Sequence, residues 1–154
     1  MLSLGVTFEE FVAVQGPRLR AGLVAAYGPD CGVDSAAEAL AYGWEHWGRL
    51  SGMDNPAGYL YRVGQTAARR SRRPEPMLPL PEPTGSVDFE PGLLPALESL
   101  PESQRVCVVL VHGYGWGQTE IAELLCISPS TVRTHLSRGL ARLQQLLEVS
   151  GHVD

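Results

Sequence analysis

Seven of the 22 residues from Pro74 to Pro95, PEPMLPLPEPTGSVDFEPGLLP, are proline. A proline ring locks φ and removes a backbone donor, so this stretch excludes helix interior and central strand and favours an extended tether. It divides the 154 residues into a module over 1–73, a linker over 74–92 and a second module over 93–154. Charge follows the same division. Residues 1–73 carry eight Arg against seven Asp or Glu, 74–100 carry five Asp or Glu and no Arg, and 101–154 carry four Arg against five Asp or Glu. There is no lysine and the net charge is −5, so any contact with DNA has to come from local arginine clusters. The acidic tether reads first as a solvated spacer, and second as a competitor with DNA for those arginines. Proteases are expected to cut it and release two folded pieces.

No segment shows convincing strand alternation, so the fold is expected to be all-α: two small helical domains, the second a helix-turn-helix. In the first module, Thr7 followed by Glu10 predicts a capping box. The helix it opens runs to about Tyr27, with Phe8, Phe11, Val12, Leu19 and Leu23 as its apolar stripe. GPDCG should break the chain, and a second helix should start near Val33–Asp34 and continue through SAAEALAYGWEHWGRL. Trp44 and Trp47 within it are expected in the core. Asn55 as cap and Pro56 at the first helical position announce a third helix, running towards Pro74. Tyr59 and Tyr61 cannot both face inward, because neighbours on a helix point about 100° apart. Gly43, Gly58 and Gly64 each cost about 1 kcal/mol relative to Ala, so tertiary packing has to hold these helices.

The second module predicts four helices: LLPALESL, then PESQRVCVVLVHGY, then QTEIAELL, then a long helix capped by Ser128 with Pro129 at its first position. Apolar residues at Val132, Leu136, Leu140, Leu143 and Leu147 follow helical spacing. Between them Ser130, Thr131, Arg133, Thr134, Ser137 and Arg138 form a polar face that carries no carboxylate before Glu148. Short hydroxyls suit a helix pressed into a major groove, and Arg133 and Arg138 can reach phosphates or guanine edges. The segment GWGQTEIAELLCISPSTVRTHLSRGLARL therefore has the layout of a helix-turn-helix, with Ala122 allowing close approach and Ile127 plugging the turn. A second basic cluster, Arg69, Arg70, Arg72 and Arg73 with Arg62 ahead of it, exceeds what a helix C-terminus requires and forms a plausible phosphate-tracking edge.

From Leu94 to Leu147 the chain resembles the −35-binding domain of bacterial RNA polymerase sigma factors of the extracytoplasmic-function group, through its LP…R opening, its EIA helix and its TV…R…L…R recognition helix. The recognition helix alone also resembles that of LuxR-type response regulators. The stretch VDSAAEALAYGWEHWGRLSGMDNPAGYLYRVGQTAARRSRR is similar to the sigma family's core- and −10-binding domain. The resemblance implies that Ser128, Ser130, Thr131, Arg133, Thr134, Ser137 and Arg138 face −35 DNA. It implies that Tyr59, Arg62, Thr66, Arg69, Arg70, Arg72 and Arg73 lie along −10 DNA, and that Asp34, Ala37, Glu38 and Tyr42 meet the polymerase. Promoter DNA, core RNA polymerase and an anti-sigma factor are the implied partners, with transcription initiation as the function and no cofactor. Where the family usually has Gln, Trp, Asn and Asp, this chain has Ala37, Tyr59, Thr66 and Arg70. Those departures predict polymerase binding and −35 recognition with weak promoter opening. A regulator that does not melt promoters, or a sigma mimic acting through protein contacts, are the alternative readings.

Enzyme chemistry is not expected. His46, His112, His135 and His152 lie far apart, with no metal-ligand spacing to Cys or carboxylate. HGYGWG joins two helices and lacks the lysine of a phosphate loop. Three cysteines without C-x-x-C spacing fit a reducing cytoplasm, with Cys107 and Cys126 as small core residues. No signal peptide or apolar run of membrane-spanning length is read in the chain.

Overall fold

A computed structural model describes residues 5–71 and 92–151. Arg72, Arg73 and all of the linker except Gly92 lie outside the described residues. Every regular element among those described is helical, the all-α fold expected. Helix α1 (Phe8–Tyr27) opens on the expected capping box, in which the Thr7 hydroxyl accepts from the Glu10 N–H and Glu10 accepts from the Thr7 N–H. Its stripe is also as read: Phe11, Leu19 and Leu23 are buried, while Phe8 and Val12 pack against the same core.

Helix α2 (Pro29–Glu45) starts earlier than the sequence suggests. Gly28 alone makes the break, at φ 90°, and Pro29 takes the first helical position, where a missing N–H costs nothing. Asp34 is therefore inside α2 and caps nothing. A Cβ on Gly32 would stand 2.5 Å from the Val24 backbone, and one on Gly43 would strike Leu60 and Phe8. Gly32 lets α1 and α2 lie antiparallel at close range, and Gly43 makes room for Leu60 and Phe8, which accounts for residues that propensity alone counts as losses. His46 interrupts the second helix, and a short α3 (Trp47–Leu50) follows. Trp44 is 63% exposed, not a core residue. The inward line of α2 is Gly32, Ser35, Ala36, Ala39 and Gly43, and Trp44 follows Gly43 by one residue, about 100° around the helix. Helix α4 (Pro56–Arg70) is capped by Asn55, whose Oδ1 accepts from the Gly58 N–H at 3.0 Å. It buries Tyr61 and leaves Tyr59 half-exposed.

The second module contains α5 (Leu93–Ser99), α6 (Glu102–Val108) continued by a π-helical turn (Val109–Gly113), α7 (Gln118–Leu125) and α8 (Pro129–Gly151). Cys107 is buried as expected, but Cys126 is exposed. It ends α7 in the left-handed conformation at φ 57°, which turns its side chain out of the apolar line. Helix α8 buries Val132, Gly139 and Leu143, whereas Leu140 is 39% exposed. A Cβ on Gly139 would meet Val108 at 2.8 Å, so the seam with α6 runs through the glycine and not through Leu140.

The halves are not separate beads. One core holds Leu19, Leu23, Leu60 and Tyr61 together with Cys107, Leu110, Ile121, Leu124 and Val132. Only a smaller cluster of Ala96, Leu97, Leu100, Val108 and Leu143 belongs to the second half alone. Polar contacts tie the same seam. Buried Arg105 donates from Nε to the Ala25 carbonyl (3.3 Å), from Nη2 to Ala26 (2.7 Å) and from Nη1 to Leu100 (2.9 Å), closing the end of α1 with a residue of α6. Asn55 Nδ2 donates to the Glu123 carbonyl at 2.6 Å, and Arg18 pairs with Glu120 at 3.4 Å.

Candidate nucleic-acid interface

The strongest site is the first half of α8. Ser128 Oγ accepts from the Thr131 N–H at 3.1 Å and lies 3.0 Å from Ser130 Oγ and 2.8 Å from Thr131 Oγ1. The helix N-terminus thus carries a small hydroxyl cluster at the positive end of the helix dipole, which is an arrangement suited to a phosphate. Arg133, Thr134, Ser137 and Arg138 are exposed, and neither arginine has a carboxylate partner among the described residues. Thr134 Oγ1 donates to the Ser130 carbonyl at 3.1 Å, so its hydroxyl is partly committed to its own helix. Beneath this face, fully buried Val132 and half-buried Leu136 and Ile127 seat α8 against Ile121 and Ala122 of α7. The Ile127 N–H donates to the Ala122 carbonyl at 3.1 Å, fixing the turn between the two helices.

The second group of expected DNA residues is brought together along α4. Tyr59, Arg62 and Thr66 fall at helical spacing on one face, with Arg69 and Arg70 at its end. Their states differ. Thr66 Oγ1 donates to the Arg62 carbonyl at 3.0 Å. Arg69 pairs with Glu102 of the other half, and Arg70 pairs with Glu38 of α2. Arg62 is exposed and has no ion pair among the described residues.

Of the residues expected to meet polymerase, Asp34, Ala37 and Glu38 are exposed on α2. Sequence reasoning missed that Val33, Ala41 and Trp44 extend this face as an apolar line at helical spacing. Burying tryptophan by default hid it. Tyr42 stands apart from that line, in a cluster that no spacing rule announced. Arg49 Nη2 donates to Tyr42 Oη at 2.8 Å, and its guanidinium lies 5.7 Å from the Tyr59 ring centre. Tyr42 Oη is 3.4 Å from Tyr59 Oη, and the Tyr42 ring stacks on His46 at 4.1 Å. The hydrogen bond with Tyr42, followed by that with Arg49, holds the Tyr59 phenol below its ordinary pKa. Among the described residues no group of three His, Cys, Asp or Glu could hold a metal, and no helix is long and apolar enough to cross a membrane.

Residues 93–143 match the sigma-70 region 4 family. Over 88 residues, 57% of this chain, the sequence is 31% identical to the ECF RNA polymerase sigma factor SigM of Mycobacterium tuberculosis, in two strains. The match covers 45% of that protein, so the chain spans less than half the length of the curated relatives it matches. In fold it is similar to the sigma factor RpoE from Bartonella quintana, solved in complex with the anti-sigma factor NepR. That likeness has a TM-score of 0.62 and 22% identity, over 92% of this chain and 97% of that one. It is also similar to CnrH, solved in complex with the cytosolic domain of CnrY, with a TM-score of 0.57, 22% identity, and 92% and 88% of the two chains covered.

Proposed function

We propose that the chain is a sigma factor or sigma-like protein of the extracytoplasmic-function group, which recognises promoter DNA and directs core RNA polymerase to it; the match of residues 93–143 to sigma-70 region 4 and the likeness to SigM support this reading. The observation that carries this reading is the exposed, carboxylate-free face of α8, with Ser130, Thr131, Arg133, Thr134, Ser137 and Arg138 set above the buried Val132. In a chain of net charge −5, a helix surface without a carboxylate is where a polyanion can dock. The polymerase contact is assigned to α2, where Asp34, Ala37 and Glu38 share a face with exposed Trp44. An aromatic anchor among small residues suits a protein interface. An anti-sigma factor is carried as a third partner. The action is binding and positioning, with no enzymatic step and no cofactor.

Promoter opening is expected to be weak. Arg70 faces Glu38, so the added cation is neutralised within the chain, and the Thr66 hydroxyl is engaged by its own helix. With its single donor given to the Arg62 carbonyl, the Thr66 hydroxyl is left only to accept, whereas a carboxamide presents a donor and an acceptor on separate atoms. The test is in vitro transcription with core polymerase on promoters from the source genome, with permanganate footprinting of the −10 region. Polymerase recruitment with faint thymine reactivity is the expected result. Strong reactivity without a helper would remove the claim of weak opening, and absence of co-purification with core polymerase would leave a free DNA-binding regulator.

A further inference from the structure

The face of α4 assigned to −10 DNA has an uneven charge. At its C-terminal end Arg69 and Arg70 are both paired with carboxylates, Glu102 and Glu38. A guanidinium beside a carboxylate attracts a phosphate less than one without, since part of its field is cancelled. At its N-terminal end the situation is reversed. Arg49 is exposed, and its hydrogen-bond and ring partners are the phenols of Tyr42 and Tyr59. Phenols are neutral near pH 7, so the positive charge there is not cancelled. Arg62, one turn along from Tyr59, is likewise without a carboxylate among the described residues.

Resting on the function proposed above, we propose that Arg49 is a further DNA-contacting residue, and that Tyr42, Arg49 and Tyr59 form a platform for a phosphodiester of single-stranded DNA. Three elements hold it. Tyr42 comes from α2, Arg49 from α3 and Tyr59 from α4, and His46 stacks on Tyr42 while its Nδ1 lies 3.0 Å from the Tyr42 carbonyl. The phenols of Tyr42 and Tyr59 engage only part of the five N–H groups of the guanidinium, leaving donors for a phosphate oxygen. A guanidinium already seated over a ring loses less freedom on binding than a free side chain. The half-exposed Tyr59 ring is beside it, and aromatic rings take the adjoining base irrespective of sequence. This places Tyr42 with the DNA residues and not with the acidic and apolar face of α2.

The test uses the full chain, a fluorescein-labelled single-stranded thymidylate 12-mer and fluorescence anisotropy over a salt series. Arg49→Ala should weaken binding by about three- to tenfold and lower the slope of log K against log salt by about 0.7, the value for one phosphate on a single strand. Arg49→Lys should restore the slope but only part of the affinity, since the forked donors of the guanidinium and its contact with the Tyr59 ring are lost. Duplex DNA carrying the −35 element should bind all three proteins equally, and thermal melts should coincide. An Arg49→Ala protein with unchanged slope and affinity overturns the proposal and leaves the promoter reading standing. Loss of core-polymerase binding with 12-mer binding intact also overturns it, and returns the cluster to a protein interface. Failure of the unaltered chain to bind the 12-mer while it binds the −35 duplex removes the −10 reading itself, and this platform with it.

Discussion

At the scale of single residues, buried polar side chains differ in whether their hydrogen bonds are satisfied. Arg105 is 3% exposed and its donors reach carbonyls of α1 and of the α5–α6 junction. Arg105→Met keeps much of the volume but leaves those carbonyls without a donor, and should destabilise the chain by about 2–5 kcal/mol in chemical denaturation. Tyr61 is the opposite case: its hydroxyl is buried and has no hydrogen-bond partner among the described residues. Tyr61→Phe removes that group without a cavity, and should leave stability unchanged or raise it by about 1 kcal/mol. Burial also raises Tyr27 to about 12, with Glu102 adding to the effect, and raises Cys107 to about 11. In the unfolded chain these groups ionise nearer 10 and 9. Their folded pKa values are the higher ones, so the stability they contribute is complete below pH 9 and is lost as pH rises from there through about 12. Alkaline titration should therefore show Tyr59 ionising early, and a later part of the tyrosinate absorbance appearing together with the loss of helical signal.

At the scale of the helix, α8 divides cleanly between a face that holds and a face that reads. Arg133→Ala should cost about 1–3 kcal/mol of specific DNA binding without moving the melting temperature, because the side chain is exposed and unpaired among the described residues. Ser128→Ala should instead cost about 1 kcal/mol of stability, through the lost bond to the Thr131 N–H. Gel shifts and thermal melts on the same two proteins separate these effects. This helix was legible in the sequence because its cap, turn plug and apolar period are local signals, and all point to one register. The cap of α1 and the Asn55–Pro56 start of α4 were legible for the same reason. What the sequence did not disclose is non-local. Trp44 lies outside because Gly43 is the residue that α2 presents to α4, and that choice depends on how closely two helices approach. The Tyr42–Arg49–Tyr59 cluster joins three helices, and nothing about Arg49 in its own neighbourhood marks it. Cys126 looked apolar by its neighbours, yet its left-handed φ puts it at the exposed rim of the seam, where its Sγ faces Gly58 and Asn55.

At the scale of the molecule, the proline-rich tether suggested two pieces, whereas the apolar core passes through both halves. Gly58 shows how tight the seam is: a Cβ there would stand 2.5 Å from Cys126 Sγ, across the junction of α4 with the α7–α8 turn. A protein cut at an engineered protease site between residues 80 and 85 should accordingly run as one particle in gel filtration and melt in one transition. Two separate peaks would mean that the shared core is too weak to hold without the covalent link. The Arg105 contact carries a further consequence, for the order in which the protein is made. The last carbonyls of α1 wait for a donor that lies 80 residues further along the chain. At ribosomal rates of about 5–20 residues per second, that is roughly 4–16 s of synthesis during which α1 has been made and its capping arginine has not been added. Through that interval Leu19 and Leu23 also lack the half of their core that α6 and α7 supply. The first half of this protein is therefore an unfinished structure while it is being born, and its folding is completed by the part of the message read last.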